Sequence, residues 1–197
     1  MNDPKSLRTE ITQRLEESAR VKRAIAEGKI AEIVDIINMI VTSIRAGGKV
    51  VLFGNGGSAA DAQHIAGELI GKLLTERQAL PAIALNTNTS ILTALANDYG
   101  YQVVFSRQVE ALVDKNDVVI GISTSGNSAN VNEAIKQAKA KGAKTVGLTG
   151  GNGGTLADIA DTTLIVPSDI NVRIQEAHIT VGHIICELVE KEVVQSD

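Results

Sequence analysis

Five short apolar runs, separated by helical patterns, constrain the fold of this chain more than any other feature. The runs are KVVLF, PAIAL, DVVIGI, KTVGL and TTLIV. Runs of this length and type are typical of strands that are buried on both faces of a parallel sheet. The alternation predicts an α/β fold with three layers, in which a parallel five-stranded sheet is flanked by helices. The predicted helices lie at about Ala59–Leu73, Ile91–Val113, Asn130–Lys141, Gly154–Ile159 and Val172–Val193.

Two further helical patterns precede the first apolar run. Apolar residues are spaced at four from Leu7 to Leu15, and a stronger apolar stripe runs from Ile30 to Ile44. The first of these helices has many charges and a narrow apolar face. We expect it to pack against another subunit, the alternative being a solvated N-terminal arm. We therefore predict one domain over residues 1–197, with a helical extension over about 1–47 that supports oligomerisation.

The composition argues against several classes of partner. The formal net charge is −4 and aromatic residues make up 2% of the chain. Neither the basic face nor the stacking platform of a nucleic-acid-binding protein is therefore expected. The N-terminal segment has no apolar signal-peptide core, and no apolar run is long enough to span a membrane, which predicts a cytoplasmic protein without a membrane partner. The single cysteine, Cys186, lies in an apolar helical pattern and is expected to be an inert core residue.

A glycine-rich segment, GNGGS at Gly54–Ser58, follows the first predicted strand. We call it the glycine loop. Its glycines allow positive φ angles and a close approach to a ligand, and the helix that follows offers free N–H groups to an anion. The glycine spacing fits neither a dinucleotide fingerprint nor a P-loop, so a nucleotide is not indicated. By itself the loop is weak evidence: it favours a ligand site at the carboxyl end of a strand only slightly over a tight strand-to-helix turn.

The segment after the third predicted strand is rich in hydroxyl groups. Ser123, Thr124, Ser125 and Ser128 lie within six residues, at the start of another helix. Hydroxyl and helix N–H groups together can hold a phosphate without a lysine. A Ser/Thr helix cap would explain one hydroxyl but not four, so we predict that this hydroxyl loop, residues 123–128, binds phosphate. The TGGNGGTLAD segment after the fourth strand is interpreted as a turn and helix cap.

Histidine and carboxylate side chains at helical spacing indicate a metal or acid/base site. His64 and Glu68 are spaced i, i+4 and share one face of the helix after the glycine loop. The last helix supplies Gln175 and His183, about two turns apart on nearly the same side. His178 points elsewhere and is expected to be structural. Two ligands do not make a zinc site, so a surface salt bridge would explain His64 and Glu68 equally well if they stood alone.

Four motifs, in order and in register, resemble those of the phosphoheptose isomerases. They are FGNGGSAADAQHIAGEL, ALANDYGY, GISTSGNSANV and RIQEAHITVGHIICELVE, and the resemblance covers essentially the whole chain. Members of this family are sugar isomerase (SIS) domain enzymes with a flavodoxin-like fold. They convert D-sedoheptulose 7-phosphate to D-glycero-D-manno-heptose 7-phosphate, the first step of activated heptose biosynthesis. The resemblance implies the same reaction here, a homotetramer with active sites at subunit interfaces, and one zinc ion per subunit.

The resemblance also implies roles for individual residues. Glu68 and His183 would form the acid/base pair of a reaction that passes through a cis-enediol. The implied substrate-binding residues are Asn55, Gly56, Gly57, Ser58, Glu68, Asn97, Asp98, Ser123, Thr124, Ser125, Ser128 and Gln175. The implied zinc ligands are His64, Glu68, Gln175 and His183.

Two other functions stay open at this point. A non-enzymatic SIS-domain regulator that binds the replication initiator protein would share the fold and the tetramer. That class does not keep the full acid/base set, whereas Glu68 and His183 are both present here. Another sugar-phosphate enzyme of the SIS group, such as an aminosugar-phosphate isomerase or an etherase, would usually differ around the helix after the first strand. The sequence therefore favours a phosphoheptose isomerase.

Overall fold

The computed structural model describes residues 4–194, and their side chains from Ser6 onward. Within these residues no helix is both long enough and apolar enough to cross a membrane. The helices are α1 (Pro4–Gly28), α2 (Ile30–Arg45), α3 (Gly57–Ile70), α4 (Thr89–Tyr99), α5 (Ser106–Leu112), α6 (Ala129–Ala140), α7 (Gly154–Ile159) and α8 (Asn171–Val194), with a 3₁₀ turn at Tyr101–Val103. The strands are β1 (Val50–Gly54), β2 (Ala82–Ala84), β3 (Val118–Ile122), β4 (Lys144–Gly150) and β5 (Thr162–Val166).

The five strands form one parallel sheet in the order β2-β1-β3-β4-β5. In the register of the central pairs, Val50 lies opposite Ala82 on one side and opposite Val118 on the other. From β1 the chain passes first to β2 on one side of it, and then to β3 on the other side. This reversal creates a topological switch point between β1 and β3. The predicted fold class, a three-layer α/β fold around a parallel five-stranded sheet, is confirmed.

The strand side chains alternate between two apolar layers. Val50 and Leu52 belong to a layer that includes side chains of α2, α3 and α8. Val51 and Phe53 belong to the opposite layer, with side chains of α5, α6 and α7, where Phe53 stacks on Phe105 at 5.1 Å between ring centroids. Because α3 and α8 pack on the same face of the sheet, side chains from these two helices can meet near the carboxyl end of β1.

The prediction of one helix over Ile91–Val113 is wrong. Gly100 ends α4 with a φ of 88°, a conformation that glycine adopts without a steric penalty. The 3₁₀ turn at Tyr101–Val103 follows, and α5 begins only after it. The helix predicted over Ala59–Leu73 exists as α3 but is shifted toward the amino terminus. The break at Gly100 matters for function because it brings Tyr101 to the glycine loop.

A buried ion pair joins the end of α3 to α8. The side chains of Arg77 and Glu190 are 4% and 2% exposed, and Arg77 Nε lies 2.9 Å from Glu190 Oε2. The guanidinium also donates to the carbonyl oxygens of Glu68 and Leu69, which lie in the last turn of α3. The carboxylate accepts the backbone N–H groups of residues 73–75. The guanidinium therefore supplies hydrogen-bond donors to carbonyl oxygens that lack a partner at the end of a helix. The carboxylate holds residues 73–75, which follow α3, against α8.

Glu190 stays ionised in this setting. Burial by itself would raise the pKa of its carboxyl group, but the backbone N–H groups of residues 73–75 and the charge of Arg77 outweigh burial and hold the pKa below its usual range. A hydrogen-bonded carboxylate next to a guanidinium is favoured in its charged form. The ion pair is therefore present at neutral pH.

His178 and Cys186 are structural residues of α8, as predicted. His178 is fully buried, and its Nε2 donates to the carbonyl oxygen of Thr149 at 3.1 Å. Its Nδ1 is buried without a partner among the described residues. Burial lowers the pKa of His178 to about 4, although the bond to Thr149 opposes the shift. Burial, reinforced by the charge of Glu68, raises the pKa of the Cys186 thiol to about 12, which leaves it unreactive at neutral pH.

The folded protein should lose stability in acid because of His178. In the unfolded chain the imidazole regains its ordinary pKa of 6.5, so between about pH 6.5 and pH 4 the unfolded state binds more protons than the folded state. We expect this group to lower the free energy of unfolding by about 3 kcal/mol over that interval as the pH falls. His178→Gln keeps a donor for Thr149 and removes the titration. Urea unfolding of both proteins across this interval measures the difference, and parallel pH profiles would contradict it.

Candidate active site

Two loops lie at the switch point of the sheet. The glycine loop follows β1 and the hydroxyl loop follows β3, and these strands flank the switch point. In open α/β sheets, ligands bind outside the carboxyl ends of the strands at such a position. The two loop regions are joined by Asn55 and Asn130, whose side-chain amides exchange two hydrogen bonds of 2.9 Å. The crevice between the loops is therefore the expected ligand site.

Three side chains predicted as metal or acid/base groups come together between α3 and α8. His64 Nε2 lies 3.1 Å from Glu68 Oε1 and 2.9 Å from His183 Nε2. His183 Nε2 lies 4.0 Å from the same carboxylate oxygen. All three side chains are partly exposed. We call them the His64–Glu68–His183 triad. Because the carboxylate lies near both imidazoles, an isolated surface salt bridge does not describe it.

The triad has a donor set that suits zinc. One ligand atom from each residue lies within 4.8 Å of the other two. Neutral imidazole nitrogens and a carboxylate oxygen are ordinary zinc ligands. The 2.9 Å between the two Nε2 atoms has two explanations: one imidazole donates to the other, or both nitrogens face a shared cation. The residues present therefore fit a metal ion, with three protein ligands.

Gly182 allows α8 to approach α3 at the level of the triad. A Cβ atom at position 182 would lie 2.8 Å from Cδ1 of Ile65. Ile65 is buried and has little room to move. One turn further along α8, Sγ of Cys186 lies 3.9 Å from the carbonyl oxygen of Ile65. The position of His183, the next residue after Gly182, therefore depends on the absence of a side chain there.

Gly182→Ala should disturb the triad, whereas Gly67→Ala should not. The added methyl group at position 182 overpacks the contact with Ile65, which we expect to cost about 1–3 kcal/mol of stability. It also moves His183 away from α3, so zinc affinity should fall about tenfold or more. At the exposed Gly67, a Cβ would meet no atom within 4 Å, and alanine should stabilise α3 by about 0.5–1 kcal/mol. Urea unfolding and zinc titration measure both effects, and equal results for the two variants would contradict this explanation.

Gln175 lies against the glycine loop. A Cβ atom at Gly57 would fall 2.5 Å from Nε2 of Gln175, so a side chain at position 57 would displace this amide from its present position. No hydrogen bond among residues 4–194 joins the Gln175 side chain to the triad. The amide of Gln175 thus lies beside Gly57 of the glycine loop. The role of Gln175 as a fourth metal ligand stays a prediction.

The side chains of the hydroxyl loop are not used for helix capping. Ser128 is the N-cap residue of α6 but makes no capping side-chain hydrogen bond; its Oγ lies 2.9 Å from Oγ of the buried Ser123. Ser125 Oγ accepts only the weak 3.2 Å bond from the backbone N–H of Asn127. Thr124, Ser125 and Ser128 are at least partly exposed. Four hydroxyl groups thus collect at the amino end of a helix, which favours an anion site.

Asn130 and Tyr101 are site residues that the sequence pattern does not reveal. Asn130 is buried in the first turn of α6, and the Tyr101 hydroxyl donates to Asn55 Oδ1 at 3.4 Å. Both residues meet Asn55 across a long stretch of chain. A local spacing cannot encode such a contact. Both residues lie inside the motifs GISTSGNSANV and ALANDYGY, but nothing in those motifs marks either one as a partner of Asn55.

Asp61 is a third residue that the pattern does not reveal. It precedes His64 by about one turn of α3, and its Oδ2 is buried without a hydrogen-bond partner among the described residues. Burial raises the pKa of Asp61 to about 6, although the charge of His64 opposes the shift. A carboxyl group with a raised pKa therefore lies about one helical turn from His64 of the triad.

Asn97 and Asp98 stand apart from the rest of the candidate site. Both are exposed near the end of α4, where Asn97 Nδ2 donates to Asp98 Oδ1 at 2.9 Å. Their side chains make no further hydrogen bond within the described part of the chain. No residue of α4 itself is buried. The structure of the single chain therefore does not bring these two predicted substrate ligands to the triad.

Known proteins resemble this chain over most of its length. Residues 14–150 match the SIS domain family. The phosphoheptose isomerase of Aquifex aeolicus is 59% identical to this chain, over 90% of this chain and 93% of its own length. That of a Roseiflexus species is 54% identical, over 97% of this chain and 98% of its own length. The solved structure of a phosphoheptose isomerase from Neisseria gonorrhoeae has a TM-score of 0.89 at 41% identity, and the match covers 94% of this chain and 99% of that one. For the structure from Francisella tularensis the TM-score is 0.90 at 35% identity, and the match covers 93% of this chain and 97% of that one. Sequence, fold and relatives together show that the chain is an isomerase and belongs to the phosphoheptose isomerase family of SIS domain enzymes.

Proposed function

We propose that this chain converts D-sedoheptulose 7-phosphate to D-glycero-D-manno-heptose 7-phosphate, the first step of activated heptose biosynthesis. One observation carries the proposal: Glu68 and His183 converge to 4.0 Å from two different helices. A carboxylate and an imidazole side by side are the groups that proton transfer in an aldose–ketose isomerisation needs. The helix that carries Glu68 begins at the glycine loop, so α3 connects the proposed ligand crevice to the pair, which lies about three turns further along the helix.

The phosphate group would bind at the hydroxyl loop. Its hydroxyls and the amino end of α6 favour an anion and supply no competing negative charge. Contacts to the remote phosphate would orient the reacting end of the sugar, so that binding energy lowers the barrier of the chemical step. The residues proposed to contact the substrate are Asn55, Gly56, Gly57, Ser58, Glu68, Asn97, Asp98, Ser123, Thr124, Ser125, Ser128 and Gln175.

Glu68 would move the carbon-bound proton. Its carboxylate removes a proton from C1 of the ketose; the electron pair of the broken C1–H bond forms the C1=C2 double bond of a cis-enediol, while the C2 oxygen gains a proton. The same carboxyl group then returns the proton to C2. His183 would supply the proton that the C2 oxygen gains as the enediol forms, and it would recover a proton from O1 as the carbonyl forms at C1, which leaves a hydroxyl at C2. No proton or electron is gained or lost overall.

The triad and Gln175 would hold one zinc ion per subunit. When bound, zinc would supply a Lewis acid that polarises the sugar oxygens. A carboxylate oxygen bound to a cation is a poor base. Glu68 must therefore either keep one oxygen off the ion or release one from it during turnover. His64 and His183 must both be unprotonated at Nε2 to bind the ion, so this nitrogen of His183 can move protons only while it is free of the ion. Loss of zinc binding in acid is therefore part of this proposal.

The proposed assembly is a homotetramer built on the helical extension over about 1–47 of a single SIS domain. Leu7, Ile11 and Leu15 form an apolar stripe on α1 that is 46%, 59% and 67% exposed in one subunit. A second copy of the chain would cover such a surface. A neighbour packed on α4 would also explain its lack of buried residues. In that arrangement Asn97 and Asp98 could reach an active site at a subunit interface.

The test is conversion of D-sedoheptulose 7-phosphate, followed by NMR. The purified protein, supplemented with zinc, is expected to produce aldoheptose signals, and a chelator is expected to abolish them until zinc is restored. An aminosugar phosphate serves as the comparison substrate. Absence of conversion by folded, zinc-loaded protein would contradict the proposal, and conversion of the aminosugar phosphate alone would assign a different SIS reaction.

The regulator that binds the replication initiator protein is the less favoured alternative. It requires no proton-transfer groups, whereas Glu68 and His183 lie together in the structure. It predicts a protein that binds the initiator but leaves every sugar phosphate unchanged. The same NMR experiment therefore separates the two functions.

A further inference from the structure

We propose that Asn130 is a positioning residue that fixes the amide orientation of Asn55 and so presents one Asn55 N–H group to an oxygen of the bound sugar phosphate. Only the identity of that ligand rests on the proposed function. The inference depends on a pair of reciprocal hydrogen bonds of 2.9 Å between the two side-chain amides. These bonds connect the loop after β1 with the first turn of α6, across the switch point.

A backbone N–H group determines the orientation of both amides. The N–H of Val131 can only donate, and it lies 3.0 Å from Oδ1 of Asn130. That atom of Asn130 must therefore be the oxygen. It also accepts from Nδ2 of Asn55, so Nδ2 of Asn130 donates to Oδ1 of Asn55. A flip of either amide would place two oxygens or two nitrogens against each other.

Burial gives this orientation its strength. Asn130 is 3% exposed, so its amide cannot exchange these partners for water. Asn55 is only half-buried. Its Oδ1 accepts from Asn130 and, at 3.4 Å, from the Tyr101 hydroxyl. One hydrogen of its Nδ2 is used by Asn130, and the described residues offer no acceptor for the other. That second hydrogen is the group we assign to a sugar or phosphate oxygen.

Asn130→Asp tests the inference with little change in shape. The carboxylate still accepts from Val131 and Asn55, and a negative charge in the first turn of α6 is favourable, so the variant should fold. It replaces the donor to Asn55 Oδ1 with an oxygen, so Asn55 loses its fixed orientation. We expect KM for D-sedoheptulose 7-phosphate to rise about tenfold, the effect of about one hydrogen bond. Asn116→Asp, the same charge change at an exposed site near the amino ends of the strands, should leave KM unchanged.

A double-mutant cycle distinguishes positioning from a general structural role. If Asn130 acts through Asn55, Asn130→Asp should raise KM no further in a protein that already carries Asn55→Ala. A role in holding α6 or the hydroxyl loop would instead give effects that multiply in the double variant. Multiplying effects, or an unchanged KM in Asn130→Asp, would overturn the inference.

A second readout needs no substrate. In protein labelled with ¹⁵N-asparagine, the side-chain signal of Asn55 can be identified by its absence in Asn55→Ala. We expect Asn130→Asp to shift this signal and Asn116→Asp to leave it in place. An unmoved Asn55 signal would overturn the inference whether or not the protein turns over a sugar phosphate. A shifted signal in a protein without turnover would contradict the proposed function alone.

Discussion

Glu68→Gln and His183→Ala are each expected to lower kcat for ketose-to-aldose conversion by about 10³-fold, within the range for the loss of one general acid or base. Glutamine retains the size of Glu68 but cannot accept a proton from carbon. Alanine at position 183 removes the only imidazole that approaches both the carboxylate and His64 among the described residues. Steady-state kinetics with D-sedoheptulose 7-phosphate measure both variants.

Zinc content and a matched substitution make this prediction specific. Glu187→Gln removes the same charge from an exposed position on α8, one turn beyond His183, and should leave kcat within about threefold. Each variant is also measured for bound zinc. If Glu68→Gln keeps zinc and its fold but loses kcat, the carboxylate is assigned to proton transfer. If Glu68→Gln turns over at the wild-type rate, the acid/base assignment is wrong.

Arg77→Met is expected to lower the free energy of unfolding by about 3–5 kcal/mol, because it leaves Glu190 buried without its counter-charge. The variant also removes the donors to the last carbonyl oxygens of α3, among them that of Glu68. The end of α3 would loosen, and with it the register of the triad. We therefore expect zinc affinity to fall together with stability. Urea unfolding at neutral pH, with and without zinc, measures both effects.

The exposed pair Arg107–Glu110 provides the control. Arg107 Nη1 lies 2.9 Å from Glu110 Oε2, and the two side chains are 52% and 55% exposed. Arg107→Met should therefore change the free energy of unfolding by less than about 1 kcal/mol. The contribution of Glu190 is also expected to disappear in acid. Its pKa is lowered in the folded state, so the stabilisation is present above the ordinary pKa of 4.5 and is lost as the pH falls below it. Equal losses of stability for Arg77→Met and Arg107→Met would contradict the importance of burial.

The sheet and the positions of the glycine loop and the hydroxyl loop at the ends of β1 and β3 could be predicted from the sequence because local patterns encode them. Strands buried on both faces must be apolar throughout, so KVVLF and DVVIGI were identifiable without any knowledge of their neighbours. The loops after them carry glycines or hydroxyls at strand ends, where parallel sheets place ligands. The i, i+4 spacing of His64 and Glu68 likewise predicts that they share one helix face, without any information about the partner helix.

Other features could not be predicted because they depend on contacts between distant segments. The apolar pattern continues through Gly100, where the helix breaks, and the contact of Tyr101 with Asn55 that follows the break joins distant parts of the chain. Glu190 looks like any charged residue of a long helix until Arg77 is brought beside it. Asn130 acquires its role only when β1 and β3 become neighbours. Asn97 and Asp98 stand apart from the triad in the single chain, and in the proposed homotetramer their role would depend on a neighbouring copy.

The most direct test of the account is an NMR time course of D-sedoheptulose 7-phosphate with the zinc-loaded wild-type protein, Glu68→Gln and His183→Ala side by side. The account predicts aldoheptose signals with the wild-type protein and about 10³-fold slower conversion with each variant. Folded, zinc-loaded wild-type protein that leaves the ketose unchanged, or equal rates for all three proteins, would contradict it.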